Sequence, residues 1–114
     1  MSVLLLAGIQ EILIISTPDD IPHFRKLLGD GNQIGVKFHC AIQETPRGLA
    51  DAFIIGEDFI GNDDVCLVLG DNVFYGHSLS DILYAAINNL SGATVFGYPV
   101  KNNQFIDISS LDIW

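Results

Sequence analysis

The chain predicts an α/β fold, Rossmann-like, with a mostly parallel sheet carrying helices on both faces. Three observations predict it. Short apolar runs rich in β-branched residues alternate with segments of helical period. The run Val65-Cys66-Leu67-Val68-Leu69 is apolar on both faces, as strands in the middle of a parallel sheet are, and such strands account for a mean hydropathy of +0.39. No repeat, low-complexity tract or linker interrupts the alternation over 114 residues, about one domain's worth.

The elements follow in order. Met1 to Gly8 reads as the last turns of a helix stopped by Gly8, with no N-cap and no preceding strand, so the chain is expected to begin inside an element. It lacks a basic leader, and Gln10-Glu11 follow at once, so it is read as structural rather than as a signal peptide. Ile12-Leu13-Ile14-Ile15 is the first strand. A helix follows with Asp20 as N-cap and Pro22 in the first turn, where its missing N–H costs little. Phe24, Leu27 and Leu28 are expected to form its inner face and Gly29 to end it. Val36 to Ile42 is the second strand, Leu49 to about Phe59 the second helix, and Val65 to Leu69 the third strand. Ser78 and Asp81 resemble a capping box opening the third helix, whose stripe is Leu79, Ile82, Leu83, Ala86, Ile87 and Leu90. Ala93 to Tyr98 is the fourth strand.

Charge excludes several partners. Five Lys and Arg stand against fourteen Asp and Glu, a net charge of −9. Arg25, Lys26, Lys37, Arg47 and Lys101 form no basic stripe, so nucleic acid is not an expected partner, and neither is an anionic membrane surface. No apolar run reaches the ~18 residues of a membrane span. Cys40 and Cys66 lie in apolar runs and read as buried free thiols of a reducing, cytoplasmic compartment. His23, His39 and His77 have no metal-ligand spacing with each other or with the cysteines.

Ligands of open parallel sheets bind beyond the carboxyl ends of the strands. Gly70-Asp71-Asn72 follows the third strand. Asp71 is placed to hold Mg²⁺, a hard cation that takes one or two carboxylates plus substrate phosphates; the alternative is a loop aspartate capping the next turn. Gln43-Glu44-Thr45-Pro46-Arg47-Gly48-Leu49-Ala50 follows the second strand. Gln43 offers a donor and an acceptor suited to a nucleobase edge, and Gly48 lets backbone approach a planar ring; the alternative is an ordinary Pro-Gly loop. The glycines of Gly29 to Gly35 lie after a helix and before a strand. They therefore serve as cap and turn, not as a phosphate loop, which precedes a helix.

These loops, in this order, resemble the sugar-1-phosphate nucleotidyltransferases, within them the thymidylyl-transferring branch. The matching stretches are Leu6 to Ile9 running into Ile12 to Pro18, Phe24 to Gly31, Gln43 to Gly56, Val68 to Gly76 and Ser91 to Phe96. The resemblance covers residues 2–100 and leaves 101–114 as a divergent tail, so residues 1–100 are taken as a partial nucleotidyltransferase domain. It implies a Rossmann-like nucleotide-binding region and attack by a glucose 1-phosphate oxygen on the α-phosphorus of dTTP, giving dTDP-glucose and pyrophosphate with Mg²⁺ as cofactor. It implies that Gln43 hydrogen-bonds thymine, that Gly48 contacts the base through backbone with Leu49 beside it, and that Asp71 binds metal at the reacting phosphates. It also implies a homo-oligomeric full-length enzyme.

The family's glycine-rich triphosphate loop and its second metal-binding aspartate are absent from the chain, and Arg47 stands where the family carries an acidic residue. Neither target loop holds a lysine, so the isolated polypeptide is expected to be inactive or nearly so. Two alternatives stay open: a non-catalytic α/β remnant serving as an interaction surface, and a nucleotidyltransferase for another nucleotide and sugar. An in-frame glycine-rich loop upstream of Met1 distinguishes the enzyme from the remnant.

Overall fold

The computed structural model describes residues 2–97. They belong to two compact units, Ile9–Asn72 and a second made of the segments on either side of it.

In the first unit, β1 (Glu11–Ser16) and β2 (Lys37–Ile42) pair in parallel, from Glu11 opposite Lys37 to Ser16 opposite Ile42. The ladder extends by one bond at each end: Lys37 N–H donates to Gln10 O at 2.8 Å and Gln43 N–H to Ser16 O at 2.9 Å. Parallel pairing needs a crossover, and α2 (Ile21–Leu28) supplies it, packing on β2. Asp20 does occupy the N-cap of α2, and Pro22 lies in its first turn. The capping bond to a helix N–H is not made, however. The Asp20 carboxylate instead accepts the Thr17 hydroxyl at 2.8 Å, while Asp20 N–H donates to Thr17 Oγ1 at 3.2 Å. The inner face also differs from expectation. Ile21 is 2% exposed, whereas Leu27 is 78% exposed and Phe24 is exposed too. Ile21 and Leu28 stand two turns apart on one stripe, which sets the buried face; Leu27 lies well around the helix from it.

The glycine-rich connection works as cap and turn. Gly29 N–H closes α2 on Arg25 O at 3.0 Å, and a short 3₁₀ turn at Asn32–Ile34 leads to β2. Gly31 has φ +83°, and a Cβ there would lie 2.6 Å from Val36 O and 2.7 Å from the Phe38 ring. Only glycine fits.

The expected second helix is two short ones, α3 (Asp51–Ile55) and α4 (Glu57–Ile60), divided at Gly56. A Cβ on Gly56 would stand 3.2 Å from the Leu13 side chain, so the break lies close against β1. Phe59 of α4 meets His39 of β2 with ring centroids 5.2 Å apart, and His39 Nε2 is buried without a partner. The expected third strand does not form. Residues Val65 to Leu69 pair with no strand, and Val65 and Leu67 are about half exposed. An apolar run becomes a strand only when a neighbour satisfies its N–H and C=O groups, and among the described residues β1 and β2 pair only with each other. The sheet is therefore parallel, as expected, but has two strands there instead of four.

In the second unit, α1 (Ser2–Leu6) ends at Gly8, whose φ is +76° and whose N–H donates to Leu5 O at 3.0 Å. The predicted helix end is thus observed. A Cβ on Gly8 would come 3.3 Å from the Tyr84 hydroxyl of α5 (Leu79–Asn88). Ser78 does precede α5, but with φ +58°, and its hydroxyl makes no capping bond. An N-cap side chain needs extended backbone to reach back. Of the predicted stripe Leu83 is buried, while Ile82 and Ile87 are half exposed. Residues 93–97 form no strand, and Val95 is 73% exposed. Tyr98 and the tail 101–114 lie outside the described residues. Among those described, no helix is long and apolar enough to cross a membrane.

Candidate functional site

The site grows from the carboxyl end of β2. The backbone bond from Gln43 to Ser16 fixes Gln43 as the first residue beyond the ladder, where parallel sheets place ligands. The chain then runs through Glu44 to Ala50 without regular structure and enters α3. Pro46 and Gly48 suit that path. Gly48 has φ +90°, a left-handed conformation that L side chains rarely adopt. Leu49 is half-buried, and its carbonyl accepts Ala52 N–H at 3.0 Å, starting the helical turn.

α3 brings Asp51 back under the loop. Asp51 is 5% exposed, the one polar residue fully buried among those described. Burying a carboxylate without partners costs several kcal/mol or more, and three donor atoms answer that cost. Gln43 Nε2 donates to Oδ2 at 2.8 Å. Arg47 Nη2 lies 3.0 Å from Oδ1, and its Nε donates to Oδ2 at 3.4 Å. Arg47 is itself largely exposed, so this ion pair is solvated on one side. The loop is thus tied to the helix by side chains rather than by backbone. Both base-side candidates that flank Arg47, Gln43 and Gly48, sit within that tied segment.

Asp71 belongs to the same compact unit. It is exposed, in a turn where Asn72 N–H donates to Leu69 O at 3.2 Å. Among the described residues no group of three or more His, Cys, Asp or Glu side chains is placed to hold a metal ion. Asp71 offers one exposed carboxylate, a hard oxygen donor of the kind Mg²⁺ takes beside phosphate and water.

Asp51 escaped the reading of the sequence. Its signal was present: Arg47 and Asp51 are four residues apart, the spacing of an ion pair along a helical turn. The cysteines need correction as well. Both are free, but Cys40 is only half-buried and Cys66 is exposed. Cys66 lies in the run that found no strand partner, so nothing covers it as a sheet would. Partial desolvation of its sulfur still pushes the thiol up from its ordinary value.

Comparison with known proteins identifies the family. The Nucleotidyl transferase family model matches residues 1–105. Glucose-1-phosphate thymidylyltransferase of Neisseria meningitidis serogroup A is 58% identical over 104 residues, which is 91% of this chain and 36% of that protein. The enzymes of the same name from Neisseria gonorrhoeae and Xanthomonas campestris pv. campestris strain B100 are 52% and 51% identical, each over 98% of this chain and 39% and 38% of their own lengths. The chain thus spans well under half the length of these curated relatives. With a family model matched along nearly its whole length, the chain belongs to the nucleotidyl transferase family.

Proposed function

We propose that this chain carries the base-binding and metal-binding part of a glucose-1-phosphate thymidylyltransferase. In the reaction an oxygen of the glucose 1-phosphate phosphate forms a bond to the α-phosphorus of dTTP. The bond from that phosphorus to the bridging oxygen breaks, pyrophosphate leaves with the electron pair, and dTDP-glucose results. The observation that carries the reading is the position of Gln43. Its backbone is anchored to the end of β1 and its amide to Asp51, next to a left-handed Gly48. A planar ring resting against the Gly48 backbone would present its edge to the Gln43 amide, which offers one donor and one acceptor.

Asp71 is the metal ligand in this reading and the chain's contribution at the reacting phosphates. Mg²⁺ bound there would neutralise phosphate charge and hold the triphosphate for in-line attack. What the chain itself does is position: Gln43, Gly48 and Leu49 hold the base, and Asp71 fixes the other end of the nucleotide. Glucose 1-phosphate, as the second substrate, follows from the names of the relatives.

Equilibrium binding of dTTP in the presence of Mg²⁺ tests the reading. Gln43→Ala is expected to weaken binding about tenfold or more. Asp71→Ala is expected to abolish the strengthening by Mg²⁺ while leaving metal-free binding nearly unchanged. Equal affinity and equal Mg²⁺ response in all three proteins contradicts both assignments.

A further inference from the structure

The Gln43–Asp51–Arg47 cluster does more than close a loop. Asp51 is 5% exposed, and its Oδ2 receives the Gln43 amide nitrogen at 2.8 Å. An ionised carboxylate has only acceptors. The nitrogen of the Gln43 amide, and not its oxygen, must therefore face Asp51. An amide is otherwise free to turn over, exchanging donor and acceptor with almost no change in shape. Here one of the two orientations is held.

That choice matters for a pyrimidine. Positions 3 and 4 of thymine offer a donor and then an acceptor, while the same positions of cytosine offer an acceptor and then a donor. A glutamine that turns over freely pairs with either base; one that is held pairs with only one of them. We infer that Asp51 is a positioning residue that sets pyrimidine choice, by holding the Gln43 amide in the orientation that pairs with thymine and mispairs with cytosine. The inference rests on the proposed role of Gln43 as the base contact.

Arg47 makes the device testable. Its guanidinium has donors only and faces both oxygens of Asp51. In Asp51→Asn the shorter Arg47 contact, Nη2 at 3.0 Å against Nε at 3.4 Å, keeps the single side-chain oxygen at the Oδ1 position, so the new NH₂ faces Gln43. The Gln43 oxygen must then turn toward it, and the amide is inverted. The expected result is a fall of about tenfold or more in the dTTP-to-dCTP affinity ratio, with dCTP gaining. Removing the demand of Arg47 in Arg47→Ala/Asp51→Asn frees residue 51 to accept again, and the ratio returns part of the way.

The experiment measures dTTP and dCTP binding with Mg²⁺ for the wild-type chain and both variants. It is paired with the side-chain amide NMR signals of Gln43 in the ligand-free proteins. A lowered ratio in Asp51→Asn, partial return in the double variant and displaced Gln43 signals support the inference. Equal weakening of both nucleotides overturns it, because that is what a merely structural Asp51 produces. Gln43 signals unmoved by Asp51→Asn overturn the hold itself. Displaced Gln43 signals in a chain that never distinguishes the two nucleotides show that the hold exists but that Gln43 does not read the base. In that case the proposed base site fails and the specificity role with it. Should Asp51→Asn fail to fold, the wild-type signals decide: freely exchanging Gln43 amide protons overturn the hold.

Discussion

Ile12 to Ile15 and Val65 to Leu69 are short apolar runs of the same kind within one compact unit. The first is the middle of β1, with Ile12 only 7% exposed. The second pairs with nothing among the described residues, and its Val65 and Leu67 are 48% and 46% exposed. Apolar content supplies a face to bury, but only a neighbouring strand supplies the ladder, and among the described residues only the first run has one. The difference passes on to the site. Gln43 continues a hydrogen-bonded ladder and is held by a buried carboxylate, whereas Asp71 stands on a turn that follows the unpaired run.

Matched truncations sharpen this comparison. Ile12→Ala is expected to cost about 2–5 kcal/mol in urea unfolding, as a buried large-to-small change does. Gly31→Ala, in the crossover that makes the parallel pairing possible, comes next at about 1–3 kcal/mol, from its left-handed backbone and the contact with Val36 O. Leu67→Ala is expected to cost less than about 1 kcal/mol, because much of that side chain is already in water. A loss at Leu67 as large as at Ile12 breaks the comparison, since it places the Val65–Leu69 run in a buried sheet. The smallest effect is kinetic. The raised Cys66 thiol has less thiolate at neutral pH than a free cysteine, so its alkylation is expected to be slower than in a short peptide and to accelerate at higher pH. A rate equal to that of the peptide at every pH contradicts the desolvation.

Local signals in the sequence were sufficient where chemistry is local. Gly8 and Gly29 end helices where expected, Pro22 opens one, and β1 and β2 lie parallel because a helix separates them. They were insufficient where an outcome depends on what lies across space. Val65 to Leu69 has the composition of a strand but no ladder. The Leu49-to-Phe59 helix divides at Gly56, where the chain comes close to Leu13. Leu27 fits an amphipathic pattern, but the stripe set by Ile21 leaves it outside. At the site, Gln43 was legible from its place after a strand. Asp51 was not, because its role exists only once the loop folds back to bring residues eight apart within 2.8 Å.

The central claim is that one nucleotide spans the tied loop after β2 and the turn at Asp71. Titrating isotopically labelled protein with dTTP and Mn²⁺ tests it directly, since Mn²⁺ favours the same oxygen ligands as Mg²⁺ and broadens signals near it. The account predicts shifts in the Gln43 side-chain amide and in the Gly48 and Leu49 backbone signals, together with broadening centred on Gly70 to Asn72. Shifts or broadening centred elsewhere, with these residues unmoved at saturating nucleotide, would contradict it.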